Sequence, residues 1–304
     1  MVSVVMPVYN EEKHIITSVE TVKKILVDNK INYEFVLVDD GSKDSSWEKL
    51  TELSKRDEKI KSVRLSRNFG KEAALCAGLT ESTGEAIVVL DSDLQHPPEL
   101  IPEFVRIWRD EDVDVVEGVK ADRGKESAFH RLCANGFYKL LYRLTEIDLL
   151  NASDFKLLDR NVVEAMLSMP EKITFFRGMS AWVGFERRKV PFEVQDRVEG
   201  SSKWSFKRLL NLAITSITSY ASAPLKLIIW LGFIMFIGSI VLGIQTLVRY
   251  LLGNALEGFT TVILLLLFIG SIIMVALGII GLYLERIYHE IKGRPRYIIS
   301  RRNN

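Results

Sequence analysis

Short apolar runs alternate with amphipathic segments through the first two thirds of the chain. The apolar runs at residues 2–6, 33–38 and 63–65, and a fourth that ends at Asp91, predict β-strands. Helices are predicted after the first strand, from about residue 45, and over residues 71–79, where apolar positions recur at three- and four-residue spacing. Short strands separated by helices of this length indicate an α/β fold with a mostly parallel sheet.

Two longer apolar stretches, residues 227–248 and 259–284, contain no charged residue. Each exceeds the roughly 20 residues that a helix needs to cross a bilayer. The loop between them offers only Arg249 and Glu257, whereas basic residues flank the outer ends of the pair. By the positive-inside rule, both ends of the chain lie on the cytoplasmic side. We therefore expect a multi-pass protein of the plasma (inner) membrane.

These patterns divide the chain into four parts. Residues 1–200 are predicted as a cytoplasmic domain, and residues 201–224 as an amphipathic segment at the membrane interface. Residues 225–285 contain the two transmembrane helices, and residues 286–304 form a basic cytoplasmic tail. The amphipathic pattern of the second part rests on Phe206, Leu209, Leu210, Ala213, Ile214 and Ile217.

Composition and motifs exclude several classes of protein. The 304 residues include 40 basic and 39 acidic side chains, so the overall charge does not indicate a nucleic-acid partner. Cys76 and Cys133 are far apart and lack metal-ligand spacing, which favours reduced cytosolic thiols. Neither a Gly-x-Gly-x-x-Gly fingerprint nor a Walker loop follows the first strand, which argues against dinucleotide and P-loop sites.

Two aspartates, Asp91 and Asp93, directly follow the fourth predicted strand, and a double proline soon ends any extended run. Open α/β sheets bind ligands at the carboxyl ends of their strands, and Glu11 and Asp39 follow two other predicted strands. Paired carboxylates suit Mg²⁺ or Mn²⁺, with diphosphate oxygens filling the remaining positions. The alternative is a turn whose aspartates bind their own backbone.

Four ordered motifs resemble those of the family 2 glycosyltransferases. They are residues 4–11 (VVMPVYNE), 38–42 (VDDGS), 67–71 (RNFGK) and 90–95 (LDSDLQ), and residues 200–204 (GSSKW) and the two spans extend the match over nearly the whole chain. The chain is most similar to the polyisoprenyl-phosphate glycosyltransferases of the bactoprenol glucosyltransferase and dolichol-phosphate mannose synthase type. The resemblance implies a Rossmann-like GT-A catalytic domain, a nucleoside-diphosphate sugar donor and an inverting reaction.

The resemblance also implies roles for individual residues on the donor side. The pocket for the base and ribose would be lined by Pro7, Tyr9, Glu11 and Asp39. A carboxylate only accepts hydrogen bonds, so Asp39 suits the imide N–H of uracil. Asp91 would bridge the ribose and the metal, and Asp93 and Gln95 would complete the Mg²⁺ or Mn²⁺ site, with Asp93 also catalytic.

Three of these positions have alternatives. Glu11 is equally explained as a first-turn acid favoured by the helix dipole. Asp39 and Asp40 also suit a turn or helix cap, which is the role expected for Asp40. Relatives usually carry Asp where this chain has His96, and we expect that histidine to be a solvated loop residue, with a hydrogen-bond donor as the alternative.

Asp154 opens a strand-like run and resembles the family's proposed catalytic acidic residue, whereas Asp159 precedes a helical run and is predicted as its N-cap. A phosphate monoester is mostly ionised near neutrality, so its attack requires little proton abstraction. Three roles are therefore open for Asp154. It acts as a base, it positions the acceptor, or it stabilises positive charge on the sugar. The cationic residues expected to hold the two anions together are Arg123, Arg177, Arg197 and Lys203, with Ser202. Their alternative is a solvated or headgroup-facing charge.

The predicted reaction is metal-dependent transfer of a hexose to polyprenyl (undecaprenyl) phosphate, with UDP-glucose as the expected donor. A UDP-amino sugar or GDP-mannose is the first alternative. A processive polysaccharide synthase is disfavoured by two spans and the lack of a Gln-x-x-Arg-Trp motif. A membrane scaffold with a retired transferase domain is the non-enzyme alternative. Similar proteins form tetramers, and glycines in both spans allow helix association, so a homo-tetramer is expected.

Overall fold

The computed structural model describes residues 1–120, 142–143, 152–171, 175–192, 223–252 and 258–303. The chain forms two compact units. One comprises Met1–Trp204 together with Arg294–Asn304, and the other comprises Ser205–Gly293.

The first unit alternates strands and helices through its N-terminal half. Its strands are β1 (Val2–Val8), β2 (Tyr33–Asp39), β3 (Ile60–Leu65), β4 (Ala86–Val89), β5 (Val115–Lys120), β6 (Ala152–Asp159), β7 (Arg187–Phe192) and β8 (Ile299–Asn303). Its helices are α1 (Ile15–Asp28), α2 (Ser46–Arg56), α3 (Lys71–Glu81), α4 (Ile101–Asp110), α5 (Arg160–Ser168) and α6 (Phe176–Trp182). The predicted strands and helices of the first 90 residues are therefore confirmed, with small changes at their ends.

The eight strands form one mixed sheet in the order β7-β5-β6-β4-β1-β2-β3-β8. The pairs β1–β2, β1–β4 and β2–β3 are parallel, so the predicted mostly parallel arrangement holds at the centre of the sheet. Antiparallel pairs flank this centre, because β6 pairs antiparallel with both β4 and β5, and β8 pairs antiparallel with β3. The carboxyl ends of β1, β2 and β4 consequently meet at one edge of the sheet.

Alternate side chains of the central strands feed two separate cores. Val4 and Met6 of β1 pack into one core with Phe35 and Phe104, while Val5 packs into the other with residues of α3 and α5. Strands buried on both faces explain the continuous apolar runs in the sequence. Asp159 caps α5 as predicted, since its carboxylate accepts a hydrogen bond from the Asn161 N–H at 2.9 Å.

The second unit contains two long apolar helices, α7 (Ala223–Leu251) and α8 (Phe259–Ile291). Within them, Pro224–Arg249 and Leu265–Ile291 are long and apolar enough to cross a membrane. Their large apolar side chains are exposed rather than packed in a core. The amphipathic segment predicted at residues 201–224 lies almost wholly outside the described residues.

The C-terminal segment contributes a strand that the sequence analysis does not predict. Within the region expected to be a basic tail, β8 pairs with β3, and Ser62 lies opposite Asn303. The Ser66 N–H donates to the Ile298 carbonyl at 2.8 Å, which extends the contact. Arg302 adds an ion pair with Glu81, with Nη2 2.9 Å from Oε1.

Candidate active site

Acidic side chains gather at the carboxyl ends of β1, β2 and β4. Asp39 ends β2, Asp91 follows β4 by two residues, and Glu11 lies in the loop that leads from β1 to α1. Burial raises the pKa of Glu11, and the nearby charges of Asp93 and Asp91 raise it further. The structure therefore brings Glu11, Asp91 and Asp93 close enough for their charges to interact, while Asp39 ends a strand at the same edge of the sheet.

The loop after β4 has a defined conformation. Leu94 adopts a positive φ of 53°, an uncommon backbone conformation for a branched residue, while its side chain packs against the core. The Asp93 carboxylate accepts a hydrogen bond from the Gln95 N–H at 3.2 Å. The Ser18 hydroxyl of α1 donates to the Ser92 carbonyl at 2.6 Å and fixes the start of the loop. Strain of this kind persists where the surrounding structure enforces it, and it is common at ligand sites.

The side chains of this loop fit a hard divalent cation. Asp91, Asp93 and Gln95 offer only oxygen ligands, and Asp93 is exposed. The buried Nε2 of Gln95 has no hydrogen-bond partner among the described residues, and as an N–H donor it suits an anion such as a phosphate oxygen, whereas only the amide oxygen suits a cation. No cluster of three or more His, Cys, Asp or Glu side chains that would hold a metal occurs in the described part of the chain. If Asp91, Asp93 and Gln95 hold a cation, water and phosphate oxygens would fill its remaining positions.

His96 is a correction to the sequence analysis, because it is not a solvated loop residue. Its side chain is buried, with 7% of the residue exposed. Its ring stacks on Phe155 at a centroid distance of 5.6 Å and meets Phe192 edge-on at 5.5 Å. Its Nδ1 lies 3.9 Å from Oδ2 of Asp91. His96 therefore packs the loop after β4 onto β6 and β7.

Lys71 links the two carboxylates at the centre of the site. Its Nζ lies 2.6 Å and 2.9 Å from the two oxygens of Asp91 and 2.6 Å from Oδ2 of Asp154. Burial favours the neutral amine, but Asp154 and Asp91 outweigh it and raise the pKa of Lys71. The ammonium is therefore charged at neutral pH and joins the donor-side loop to β6.

Arg177 of α6 binds Asp154 from another direction. Its Nε donates to Oδ1 at 2.7 Å and its Nη2 donates to Oδ2 at 3.1 Å. Burial alone would raise the pKa of Asp154, but Arg177 and Lys71 hold it well below its usual range. A carboxylate with such a low pKa is a poor proton acceptor near neutrality. Asp154 is therefore suited to an electrostatic role rather than to general-base catalysis.

Glu72 positions the start of the helix that carries Arg177. Its carboxylate accepts a hydrogen bond from the Phe176 N–H at 2.6 Å. Burial and the charge of Asp154 raise the pKa of Glu72 to about 7, against the opposing effects of Phe176, Lys71 and Arg177. Lys71 and Glu72 are thus neighbours in sequence with different partners, one on Asp91 and Asp154 and the other on α6.

A buried ion pair lies behind Asp154. Lys156 Nζ is 3.0 Å from Glu117 Oε1, with 1% of each side chain exposed, and it donates to the Ser180 hydroxyl of α6 at 2.8 Å. Burial lowers the pKa of Lys156 although Glu117 opposes the change. This pair ties β5, β6 and α6 together, which fixes the helix that presents Arg177.

Asp39 is fully buried and already engaged. Its Oδ1 accepts the Ser42 N–H at 3.0 Å, and its Oδ2 lies 3.0 Å from Arg64 Nε. Burial raises the pKa of Asp39 despite these two partners. Among the other predicted pocket residues, Pro7 is half-buried within β1, and Tyr9 is 42% exposed just after it.

Asp40 has the capping role expected for it. Its two oxygens accept hydrogen bonds from the Phe69 and Gly70 N–H groups at 2.7 and 2.9 Å. Gly70 has a φ of 97°, which favours glycine, and α3 begins at the next residue. Asp40 therefore fixes the backbone from which Lys71 projects.

Four of the residues predicted to hold the two anions lie outside the described residues. They are Arg123, Arg197, Ser202 and Lys203. The sequence analysis missed Lys71, Glu72 and Arg64 as members of the site. The motif at residues 67–71 contained Lys71, but its partners lie 20 and 83 residues away in sequence. Contacts over such separations leave no local pattern in the sequence.

Comparison with known proteins gives the chain a family. The sequence profile described as glycosyl transferase family 2 matches residues 3–167. An uncharacterised glycosyltransferase of Synechocystis is 39% identical over 300 residues, covering 98% of this chain and 94% of that protein. A bactoprenol glucosyl transferase of Shigella phage SfX is 35% identical over 303 residues, covering 99% of each chain. A prophage bactoprenol glucosyl transferase homologue of Escherichia coli is 35% identical over 302 residues, covering 99% and 98%.

A solved structure has the same fold. The mannosyltransferase of Pyrobaculum calidifontis, solved with GDP-mannose and Mn²⁺, superposes with a TM-score of 0.50 at 19% identity. The match covers 72% of this chain and 63% of that one, and it shows the GT-A fold alone. The family expected from the sequence motifs is confirmed by the profile and by the full-length relatives. The chain is a glycosyltransferase that belongs to glycosyl transferase family 2.

Proposed function

We propose that this enzyme transfers a hexose from a nucleoside-diphosphate sugar to a polyprenyl phosphate, with inversion and with a divalent cation. The observation that carries the proposal is the chain of ion pairs Asp91–Lys71–Asp154–Arg177 beside the metal-binding loop. It supplies fixed charges of both signs at the edge of the sheet where α/β enzymes bind ligands. Such fixed charges suit a reaction that brings two phosphate groups together.

On the donor side, we propose that Asp91, Asp93 and Gln95 hold Mg²⁺ or Mn²⁺. When bound, the cation neutralises charge on the diphosphate leaving group. Pro7, Tyr9, Glu11 and Asp39 form the proposed pocket for the nucleotide. The exposed ring of Tyr9 is free to cover a base, whereas Asp39 contributes through the position it gives to Ser42 and Arg64.

On the acceptor side, we propose that Asp154 stays ionised throughout the reaction. It stabilises positive charge that develops on the sugar, and it orients Arg177 and Lys71 toward the incoming phosphate. The acceptor phosphate is itself mostly ionised near neutrality, so no strong base is needed. Arg123, Arg197, Ser202 and Lys203 remain the proposed contacts to the diphosphate and to the acceptor.

The lipid acceptor and the membrane location are supported together. Two helices have the length and apolar character of membrane spans, and the full-length relatives include bactoprenol glucosyl transferases. With basic residues outside both spans, we propose a multi-pass protein of the inner membrane with its catalytic domain in the cytoplasm. Residues 201–224 would then lie at the interface, where a lipid phosphate meets the donor. A homo-tetramer remains our proposal for its assembly.

Glucose from UDP-glucose is the proposed donor, supported by the names of those relatives. A UDP-amino sugar or GDP-mannose is the alternative. A non-catalytic scaffold is disfavoured by the ordered ion pairs of Asp154, which a retired site has no reason to keep.

A transfer assay in membranes tests the proposal. Undecaprenyl phosphate, Mn²⁺ or Mg²⁺ and one radiolabelled donor at a time are supplied to the wild type, to Asp93→Ala and to Asp28→Ala. We expect label in the organic phase from UDP-glucose alone, a loss of at least about 100-fold in Asp93→Ala, and wild-type transfer in Asp28→Ala, which alters an exposed residue of α1. Absence of transfer from every donor, with folded protein in the membrane, would contradict the proposal.

A further inference from the structure

We propose that Lys71 is an exchangeable counter-ion of Asp91. Its ammonium leaves the Asp91 carboxylate when a divalent cation binds there. The inference rests on the proposed function, because it assumes that Asp91 is a metal ligand. It adds a residue that competes with the metal and then becomes available to the substrates.

The Lys71 ammonium occupies the carboxylate of Asp91. Both of its oxygens lie within 2.9 Å of Lys71 Nζ, so the ammonium occupies the carboxylate that a metal would use. A cation binding there meets a positive charge at contact distance, and the two repel. Metal binding and the Lys71–Asp91 contact are therefore mutually exclusive or strongly opposed.

The Lys71 side chain is free to move away from Asp91. It is 39% exposed, and the side chain of Asp91 is 24% exposed, so solvent reaches the contact. A lysine is a compact charge on a flexible stem, whereas an arginine is held by its two-point geometry. Only the side chain has to move, because Asp40 binds the two N–H groups just before Lys71.

Asp154 does not depend on Lys71 alone for its pairing. When Lys71 leaves Asp91, Asp154 keeps both hydrogen bonds from Arg177, so Asp154 stays paired wherever the ammonium then lies. The released ammonium remains within one side-chain length of the site, where the donor diphosphate and the acceptor phosphate bring negative charge. Metal loading would thus convert Lys71 from a partner of carboxylates into a partner of phosphates.

The test measures Mn²⁺ affinity directly, without nucleotide and without turnover. The full-length protein in detergent is titrated with Mn²⁺, and free Mn²⁺ is followed by electron paramagnetic resonance. We expect Lys71→Met to bind Mn²⁺ about tenfold more tightly than the wild type, because it removes the competing charge. Lys71→Arg keeps a positive charge and should retain the weaker, wild-type affinity. A residue that only supported the fold would weaken Mn²⁺ binding when removed.

Lys61→Met is the matched control, since Lys61 pairs with Glu34 at 2.8 Å at the opposite edge of the sheet. It should leave Mn²⁺ affinity unchanged. Lys71→Gln replaces Lys71→Met if the latter is unstable in thermal unfolding.

The possible failures are distinguishable. If the wild type binds Mn²⁺ through Asp93, so that Asp93→Ala abolishes binding, but neutral Lys71 variants bind no more tightly, the counter-ion role is wrong and the proposed function stands. If the wild type binds no Mn²⁺ at all, both the counter-ion role and the metal-dependent reaction are overturned.

Discussion

Arg177 holds Asp154 in a two-point contact, with Nε 2.7 Å from Oδ1 and Nη2 3.1 Å from Oδ2. Together with Lys71, this contact keeps a carboxylate with only 6% of its residue exposed in the charged form. The cost of burying that charge is offset by two cations, Lys71 from α3 and Arg177 from α6. The site is therefore arranged around a permanent charge rather than around a proton acceptor.

The low pKa of Asp154 predicts that its titration adds nothing to the pH dependence of transfer near neutrality. Asp154 loses its charge only when the pH falls below its ordinary range, so it contributes no titration to the transfer rate near neutrality. We expect transfer in Asp154→Asn to fall by at least about 100-fold, because the amide keeps the shape but not the charge. A rate-against-pH curve from pH 5.5 to 9 checks this. A wild-type limb that disappears in Asp154→Asn would instead identify Asp154 as a base.

The raised pKa of Glu72 predicts that the free energy of unfolding depends on pH. Its pKa in the folded protein is raised to about 7, so the folded state holds a proton that the unfolded state releases near 4.5. Its favourable contribution is therefore fully present below about pH 4.5 and is lost as the pH rises through about 7. The groups that face it are Asp154, Lys71 and Arg177.

Glu72→Gln should remove this dependence, because glutamine resembles the protonated acid and still accepts from the Phe176 N–H. At pH 8 we expect the variant to unfold with a free energy about 1–3 kcal/mol higher than the wild type, and at pH 4.5 the two should agree. Denaturant unfolding at both pH values measures the difference, with Glu58→Gln as an exposed control. A constant offset at both pH values would show that titration of Glu72 is not the cause.

The buried ring of His96 predicts a loss of stability when it is removed from the loop after β4. His96→Ala removes a ring that contacts Phe155 and Phe192, and we expect a loss of about 2–3 kcal/mol in the free energy of unfolding. His96→Phe keeps an aromatic ring and should cost less than about 1.5 kcal/mol. If the alanine variant were as stable as the wild type, the buried position of the imidazole would be wrong.

Removal of β8 should destabilise the catalytic domain. A chain that ends before Ile299 exposes the edge of β3 and loses the ion pair between Arg302 and Glu81. We expect a drop of several degrees in the thermal unfolding of the catalytic domain and faster proteolysis near β3. Arg302→Ala removes only a largely exposed ion pair and should lower the melting temperature far less than the truncation does. Equal melting of truncated and full-length protein would show that β8 contributes nothing.

The sequence predicted the elements whose pattern is local. The apolar runs gave β1, β2 and β4 within one or two residues of their ends, because strands buried on both faces need continuous apolar sequence. The cap at Asp159 was equally local. The position of β8 was not predicted, because Ile299–Asn303 is short, basic and mostly exposed, and only its neighbour β3 makes it a strand.

The sequence predicted several residues of the candidate site, but it did not predict the contacts that Lys71 and His96 make with distant strands. Acidic residues at strand ends were expected to lie together, and Glu11, Asp39 and Asp91 do lie at one edge of the sheet, since parallel strands place their carboxyl ends together. The bridge made by Lys71 and the burial of His96 depend on β6 and β7, whose residues come much later in the chain. No periodicity near residue 71 or 96 encodes those partners.

The pairing of β8 with β3 also bears on how the protein is made. Asn303 donates to the Thr51 hydroxyl across 252 residues of sequence, so this edge of the sheet closes only after both apolar helices have been synthesised. Long-range pairing of this kind is slow, because the loop must be closed before any contact rewards it. The edge of β3 that faces β8 therefore stays open throughout translation of α7 and α8, and a product interrupted within those helices keeps an exposed strand edge that can pair with another chain.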